Sequence, residues 1–196
     1  MGTDLSLHKI DKIVHDEIKD HIENTELLYN LISDISTIAQ KIITVFKRNN
    51  KLLICGNGGS AADSQHFSSE LIGRFEKARK SYPAISLTTD TSSITSISND
   101  FSFEDIFSRQ IEGLGKPDDM LISISTSGKS KNIIKAVKTA KKMKLESVAL
   151  LGRDGGDVLK EVDYSITINT PRTSRIQEMH GLIIHIICGL IEDQIV

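Results

Sequence analysis

After Asn49-Asn50 the chain settles into short apolar runs separated by stretches of helical spacing. Leu52 to Cys55, Ala84 to Leu87, Met120 to Ser125, Ser147 to Leu151 and Tyr164 to Ile168 read as strands, because each is a compact apolar run too short for a helix. Between them, helix-like segments fill about 60–74, 91–98 with 103–113, 130–143 and 156–161. Strand and helix taken in turn imply crossover connections, and hence parallel strands with helices on both faces. The predicted fold is α/β, a five-stranded parallel sheet flanked by helices. Such sheets bind ligands at the carboxyl ends of their strands.

Two extra helices precede the sheet. Residues from about 5 to 23 read as a mostly polar amphipathic helix. Thr25 is the expected cap of a second helix that carries Leu27, Leu28, Leu31, Ile32, Ile35, Ile38, Ile42, Ile43 and Phe46 in one stripe. A stripe of that length packs either on the rest of the domain or on another subunit. The segment from about Ser174 to Ile195 reads as a closing helix, apolar almost all the way round and expected to be buried.

With 196 residues the chain has the size of one domain, the helices over about 5–49 and the α/β core over about 50–196. Its 24 Lys and Arg against 26 Asp and Glu leave no surplus of positive charge for phosphate backbones, so no nucleic-acid partner is expected. The longest apolar stretch, Leu182 to Ile191, is broken by His185 and falls short of the roughly 20 residues that span a bilayer, so no membrane partner is expected either. The N-terminus has no basic region followed by an apolar block. Cys55 and Cys188 make no disulfide framework, and a reducing cytoplasm is the expected location.

Three segments offer ligand chemistry. Gly56-Asn57-Gly58-Gly59-Ser60 follows a strand directly and opens a helix with Ser60 as its expected cap; free amides at such a turn hold an anion or sugar oxygens. No Lys-Ser/Thr pair follows at the spacing of a nucleotide-binding P-loop. Gly56, Gly58 and Ala61 do match a loose dinucleotide pattern, with Asp90 as the nearest ribose-binding acid. Ser125-Thr126-Ser127-Gly128-Lys129-Ser130 again follows a strand and opens a helix. Its hydroxyls and amides at the positive end of that helix suit a phosphate, although Ser127 or Ser130 can equally cap the helix. Ser98-Asn99-Asp100 is expected as a loop between two helical pieces.

His66 and Glu70, four residues apart, share one helix face with Asp63. Such a pair can bind a metal, exchange protons with a substrate, or stand solvated. In the closing helix, Gln177 and His185 lie in apolar surroundings, where unsatisfied polar atoms cost a few kcal/mol, so both need partners. At about 100° per residue they point within roughly 80° of each other on either side of Gly181, and His180 points about 140° away from His185. A core histidine bonded to a backbone carbonyl is the alternative reading for His185.

CGNGGSAADSQHFSSEL at 55–71, SND at 98–100, STSGKS at 125–130 and RIQEMHGLIIH at 175–185 together resemble the phosphoheptose isomerase family of the sugar isomerase (SIS) superfamily, over nearly the whole chain. The resemblance implies a flavodoxin-like SIS fold and conversion of sedoheptulose 7-phosphate to D-glycero-D-manno-heptose 7-phosphate, the first step toward nucleotide-activated heptose for lipopolysaccharide or capsule. It implies one zinc ion per subunit on His66, Glu70, Gln177 and His185, with Glu70 and His185 as the catalytic acid/base pair. It implies substrate binding by Asn57, Gly58, Gly59, Glu70, Asn99, Asp100, Ser125, Thr126, Ser127, Ser130 and Gln177, with 125–130 as the phosphate cradle. Homotetramers with active sites near subunit boundaries go with it. Two other classes compete: a non-catalytic SIS module that senses phosphosugars or binds proteins of the replication-initiator type, and a nucleotide-dependent oxidoreductase.

Overall fold

The structure, a computed structural model, describes residues 7–195, so the expected start of the first helix at about 5 lies outside the described residues. The helices are α1 (Leu7–Glu26), α2 (Ile32–Lys47), α3 (Gly59–Ile72), α4 (Thr91–Asp100), α5 (Ser108–Leu114), α6 (Lys131–Lys142) and α7 (Thr173–Ile195). The strands are β1 (Leu52–Gly56), β2 (Ala84–Ser86), β3 (Met120–Ser125), β4 (Glu146–Gly152) and β5 (Tyr164–Ile168). They form one sheet in the order β2-β1-β3-β4-β5, every pairing parallel. The segment expected as a helix at 156–161 is only a 3-10 turn, Val158–Lys160.

Alternation along each strand divides the apolar residues between two cores. Leu52, Ile54, Met120, Ile122, Ile124, Val148 and Leu150 pack with α2, α3 and α7 on one face. Leu53, Cys55, Leu121, Ala149 and Leu151 pack with α5 and α6 on the other. The ligand loops emerge from an edge of this sheet that is fixed on both sides.

The N-terminal helices differ from the sequence expectation in an instructive way. At Thr25 the chain is still within α1, and the Thr25 hydroxyl donates to the carbonyl of His21 at 2.9 Å instead of capping a new helix. A 3-10 turn over Leu27–Leu31 then leads into α2. Most of the α2 stripe packs inward, with Ile35, Ile38, Ile42, Ile43 and Phe46 buried, while Ile32 at its start stays exposed. Among the apolar residues left outside are those of α1, Leu7, Ile10, Ile13, Val14, Ile18 and Ile22, and at the start of the second stripe Leu27 and Ile32 are exposed as well. Polar contacts hold α1 in place instead: Arg172, just before α7, pairs with Glu17 and Asp20, Arg175 of α7 pairs with Glu17, and His21 is hydrogen-bonded to Glu178 at 2.7 Å.

The closing helix is not buried all round. Leu182, Ile186 and Leu190 line an open groove of about 360 Å³ with Leu28, Tyr29, Ile32 and Ile35. Among the described residues no helix is long and apolar enough to cross a membrane.

Candidate active site

β1 and β3 are neighbours in the sheet, and the chain leaves them toward opposite edges, β2 on one side and β4 on the other. A crevice opens at such a switch point at the carboxyl ends of the strands. The loops after β1 and β3, the two glycine-containing motifs of the sequence, flank it.

In the first loop Gly58, not Ser60, takes the cap position of α3, with φ +56. That left-handed conformation favours glycine. Ser60 is buried in the first turn, where its carbonyl accepts from Ser64. Gly59 is glycine for another reason: a Cβ there would lie 2.1 Å from Nε2 of Gln177, so the α7 amide is seated against this turn. The Asn57 side chain forms a closed pair with Asn132 in the first turn of α6, each amide donating to the other's oxygen at 2.9 and 2.8 Å. Asn132 is 2% exposed and was not foreseen; the polar second residue of a helix gives no sign that it binds another loop.

The second loop is backed by the turn after β4. Gly128 has φ +61, and a Cβ there would lie 1.9 Å from the carbonyl oxygen of Gly155. That carbonyl edge is locked again by the Val158 amide, which donates to the Gly128 carbonyl at 3.0 Å. Ser125 accepts from the Gly128 amide at 3.1 Å and Ser127 from the Lys129 amide at 3.2 Å. Ser130 stands at the cap position of α6, yet its side chain makes no capping hydrogen bond. The positive end of a twelve-residue helix and an uncommitted hydroxyl thus meet at one turn.

Ser98, Asn99 and Asp100 are not a loop but the last residues of α4, where the Asn99 amide donates to Asp100 at 2.8 Å. Asp90, the acid required by a dinucleotide reading, caps α4 instead: its carboxylate accepts from the Ser93 amide and hydroxyl, which holds it below the usual carboxylate range.

His66 and Glu70 stand one turn apart on α3, with Nε2 of His66 3.0 Å from Oε1 of Glu70. From α7, Nε2 of His185 comes within 3.3 Å of Nε2 of His66. The donor atoms of these three residues all lie within 4.8 Å of one another. Two imidazole nitrogens and a carboxylate oxygen turned toward one point fit the nitrogen and oxygen donor set of a divalent cation such as zinc. Phe75 stacks on His185, with ring centroids 5.5 Å apart and 25° between planes. A Cβ on Gly181 would meet nothing within 4 Å, so the space expected between Gln177 and His185 is present.

The core histidine of α7 is His180, not His185. It is fully buried, with Nε2 at 3.0 Å from the Leu151 carbonyl, and burial drives it down to about 4 even against that hydrogen bond. Asp63, one turn before His66, has a buried oxygen without a hydrogen-bond partner, and burial pushes its carboxyl up. Cys188 lies near Glu70; burial, reinforced by that charge, pushes its thiol up to about 12, so it stays protonated. Glu70 is three turns into α3, roughly 16 Å along the axis from Gly59. The Gly56–Ser60 turn and Glu70 therefore lie toward opposite ends of α3.

The chain has known relatives in both sequence and fold. The SIS domain model matches residues 16–152. A phosphoheptose isomerase of Sulfurimonas denitrificans is 46% identical over 94% of this chain and 96% of its own, and one of Chromohalobacter salexigens is 51% identical over 82% and 83%. The solved structure of phosphoheptose isomerase GmhA from Neisseria gonorrhoeae superposes with a TM-score of 0.90 at 38% identity, covering 94% of this chain and 99% of that one. The chain belongs to the phosphoheptose isomerase family of SIS-domain proteins.

Proposed function

We propose that this chain interconverts sedoheptulose 7-phosphate and D-glycero-D-manno-heptose 7-phosphate. The observation that carries the reading is the meeting of Glu70 with His66 and His185, from two helices, in a chain whose relatives are named phosphoheptose isomerases. A ketose 7-phosphate has its carbonyl and its phosphate at opposite ends. That shape suits a site in which the Ser125–Ser130 turn, tied to the start of α3 through the Asn57–Asn132 pair, lies away from Glu70 in the last turn of α3.

In this reading Ser125, Thr126, Ser127 and Ser130 hold the phosphate with the amide groups of their turn. Asn57, Gly58 and Gly59, Asn99 and Asp100, and Gln177 orient the sugar. A carboxylate of Glu70 removes the proton from the carbon beside the carbonyl and returns it to the neighbouring carbon, while His185 carries protons between the two oxygens of the enediol. Zinc held by His66, Glu70 and His185 would polarise the carbonyl and stabilise negative charge on its oxygen; the Gln177 amide, seated against the Gly59 turn, would have to leave that turn to join them as a ligand. Glu70 has a second carboxylate oxygen beyond the one facing His66, which keeps a proton acceptor available.

The exposed α1 stripe and the open α2–α7 groove support assembly as a homotetramer, since surfaces this apolar bury against further copies. Two buried free cysteines agree with a cytoplasmic location. The deciding experiment incubates the purified protein with sedoheptulose 7-phosphate, with and without chelator, and follows aldose formation. Conversion supports the reading. Binding without conversion returns the non-catalytic module.

A further inference from the structure

Between α3 and β2 the chain crosses residues 74–83 with no regular structure, a stretch whose backbone groups need partners from elsewhere. One side chain supplies three of them. Glu192, 1% exposed on α7, accepts from three successive amides, those of Phe75 at 3.0 Å, Glu76 at 2.9 Å and Lys77 at 2.8 Å. It also accepts from Nε of Arg79 at 2.8 Å, in an ion pair whose side chains are each 2% exposed.

Both arms of this knot reach the proton-transfer groups. The other guanidinium nitrogens of Arg79 donate to the carbonyls of Glu70 at 2.6 Å and Leu71 at 2.9 Å. These carbonyls belong to the last turn of α3, which ends at Ile72, so they lack helical partners. At the other end of the segment, Phe75 stacks on His185. A buried ion pair is by itself a poor source of stability, because desolvation offsets its attraction. This pair instead connects the turn bearing Glu70 to the ring packed on His185.

We infer that Glu192 is a positioning residue for the isomerisation: its carboxylate fixes the Phe75–Arg79 segment, through which Arg79 holds the turn of Glu70 and Phe75 holds the ring of His185. The inference rests on Glu70 and His185 as the proton-transfer pair. Glu192 is no proton carrier itself. Burial pushes its carboxyl up, but the amides of Lys77, Phe75 and Glu76 and the Arg79 guanidinium outweigh burial and hold it at about 2.

The test compares wild type, Glu192→Gln and Phe75→Leu for kcat and KM on sedoheptulose 7-phosphate, for calorimetric binding of the reduced heptitol 7-phosphate, and for thermal melting. A displacement on the scale of 1 Å is enough to cost two orders of magnitude, so Glu192→Gln is expected to lower kcat roughly 10- to 100-fold and Phe75→Leu about fivefold. KM and heptitol affinity should stay within about threefold of wild type. A folded Glu192→Gln with kcat within about twofold of wild type overturns the inference, as does loss of kcat and binding together in a folded variant. Where Glu192→Gln melts without cooperativity, Phe75→Leu decides, since it leaves the ion pair in place; unchanged kcat there overturns the inference. A wild type without turnover removes the isomerase reading and this inference with it. Wild-type turnover with indifferent variants removes the inference alone.

Discussion

Nε2 of His66 on α3 and Nε2 of His185 on α7 face each other at 3.3 Å, with a Glu70 oxygen 3.0 Å from the first. Two imidazole nitrogens so placed satisfy each other only when one carries a proton and the other does not. A cation between them satisfies both lone pairs and the carboxylate at once.

The metal prediction follows from that geometry. Calorimetric titration of chelator-treated protein should find one zinc bound per chain. His66→Ala should weaken that binding by more than the roughly 10- to 100-fold that loss of a mere supporting partner costs. A titration in which His66→Ala binds zinc as wild type does would place the ion elsewhere.

Glu70→Gln keeps shape and removes the base. Turnover should fall about 10³-fold, in the middle of the range for general base catalysis, while calorimetric binding of the heptitol 7-phosphate persists. Normal activity in this variant would take the carbon base away from Glu70.

Ser130 separates ligand binding from capping. Where a serine side chain caps a helix, its loss costs about 1 kcal/mol, but here no such bond is made. Ser130→Ala should therefore leave the melting temperature unchanged and raise KM for the phosphosugar. A lowered melting temperature with unchanged KM would make the residue a helix cap and nothing more. Gly128→Ala is the contrasting case: at φ +61, with its Cβ 1.9 Å from the Gly155 oxygen, it should lower both stability and affinity.

The exposed face of α1 allows assembly to be tested apart from folding. Val14 and Ile18 are 52% and 57% exposed, whereas α1 is kept in place by Arg172, Arg175 and His21. Val14→Lys with Ile18→Lys should reduce the mass measured by light scattering to that of a smaller assembly while circular dichroism stays that of the folded chain. An unchanged mass would mean that other surfaces carry the contact.

The strands and the carboxyl-end loops were legible because a parallel sheet buried on both faces leaves continuous apolar runs, and helical phase alone separated His185 from His180. Side-chain direction across elements was not. Stripe periodicity shows that a helix has an apolar face but not what covers it: the stripe of α2 packs mostly inward, whereas α1, which reads as mostly polar, leaves its apolar residues outside. Thr25 has the composition of a cap, yet its hydroxyl is satisfied within the preceding helix. Asn132, Phe75 and Glu192 act through partners 75 to 117 residues away in sequence, and no local spacing records such pairs.

Acid stability isolates His180. Its folded-state value of about 4 lies below the ordinary 6.5 because burial opposes the charged form, so the unfolded chain takes up a proton that the folded chain refuses. Stability is therefore fully present above pH 6.5, declines as the pH falls toward 4, and has lost this contribution below that. A difference of that size amounts to on the order of 3 kcal/mol, or about 6 to 12 °C in melting temperature for a chain of this length. Glu192, held at about 2 against an ordinary 4.5, adds a second decline of the same sign at lower pH. Thermal melts of wild type and His180→Gln between pH 7 and 4 separate the two: the variant cannot titrate at position 180, so it should be less stable at pH 7 and lose less on acidification. Parallel decline of both proteins across that range would show that the buried imidazole does not govern it.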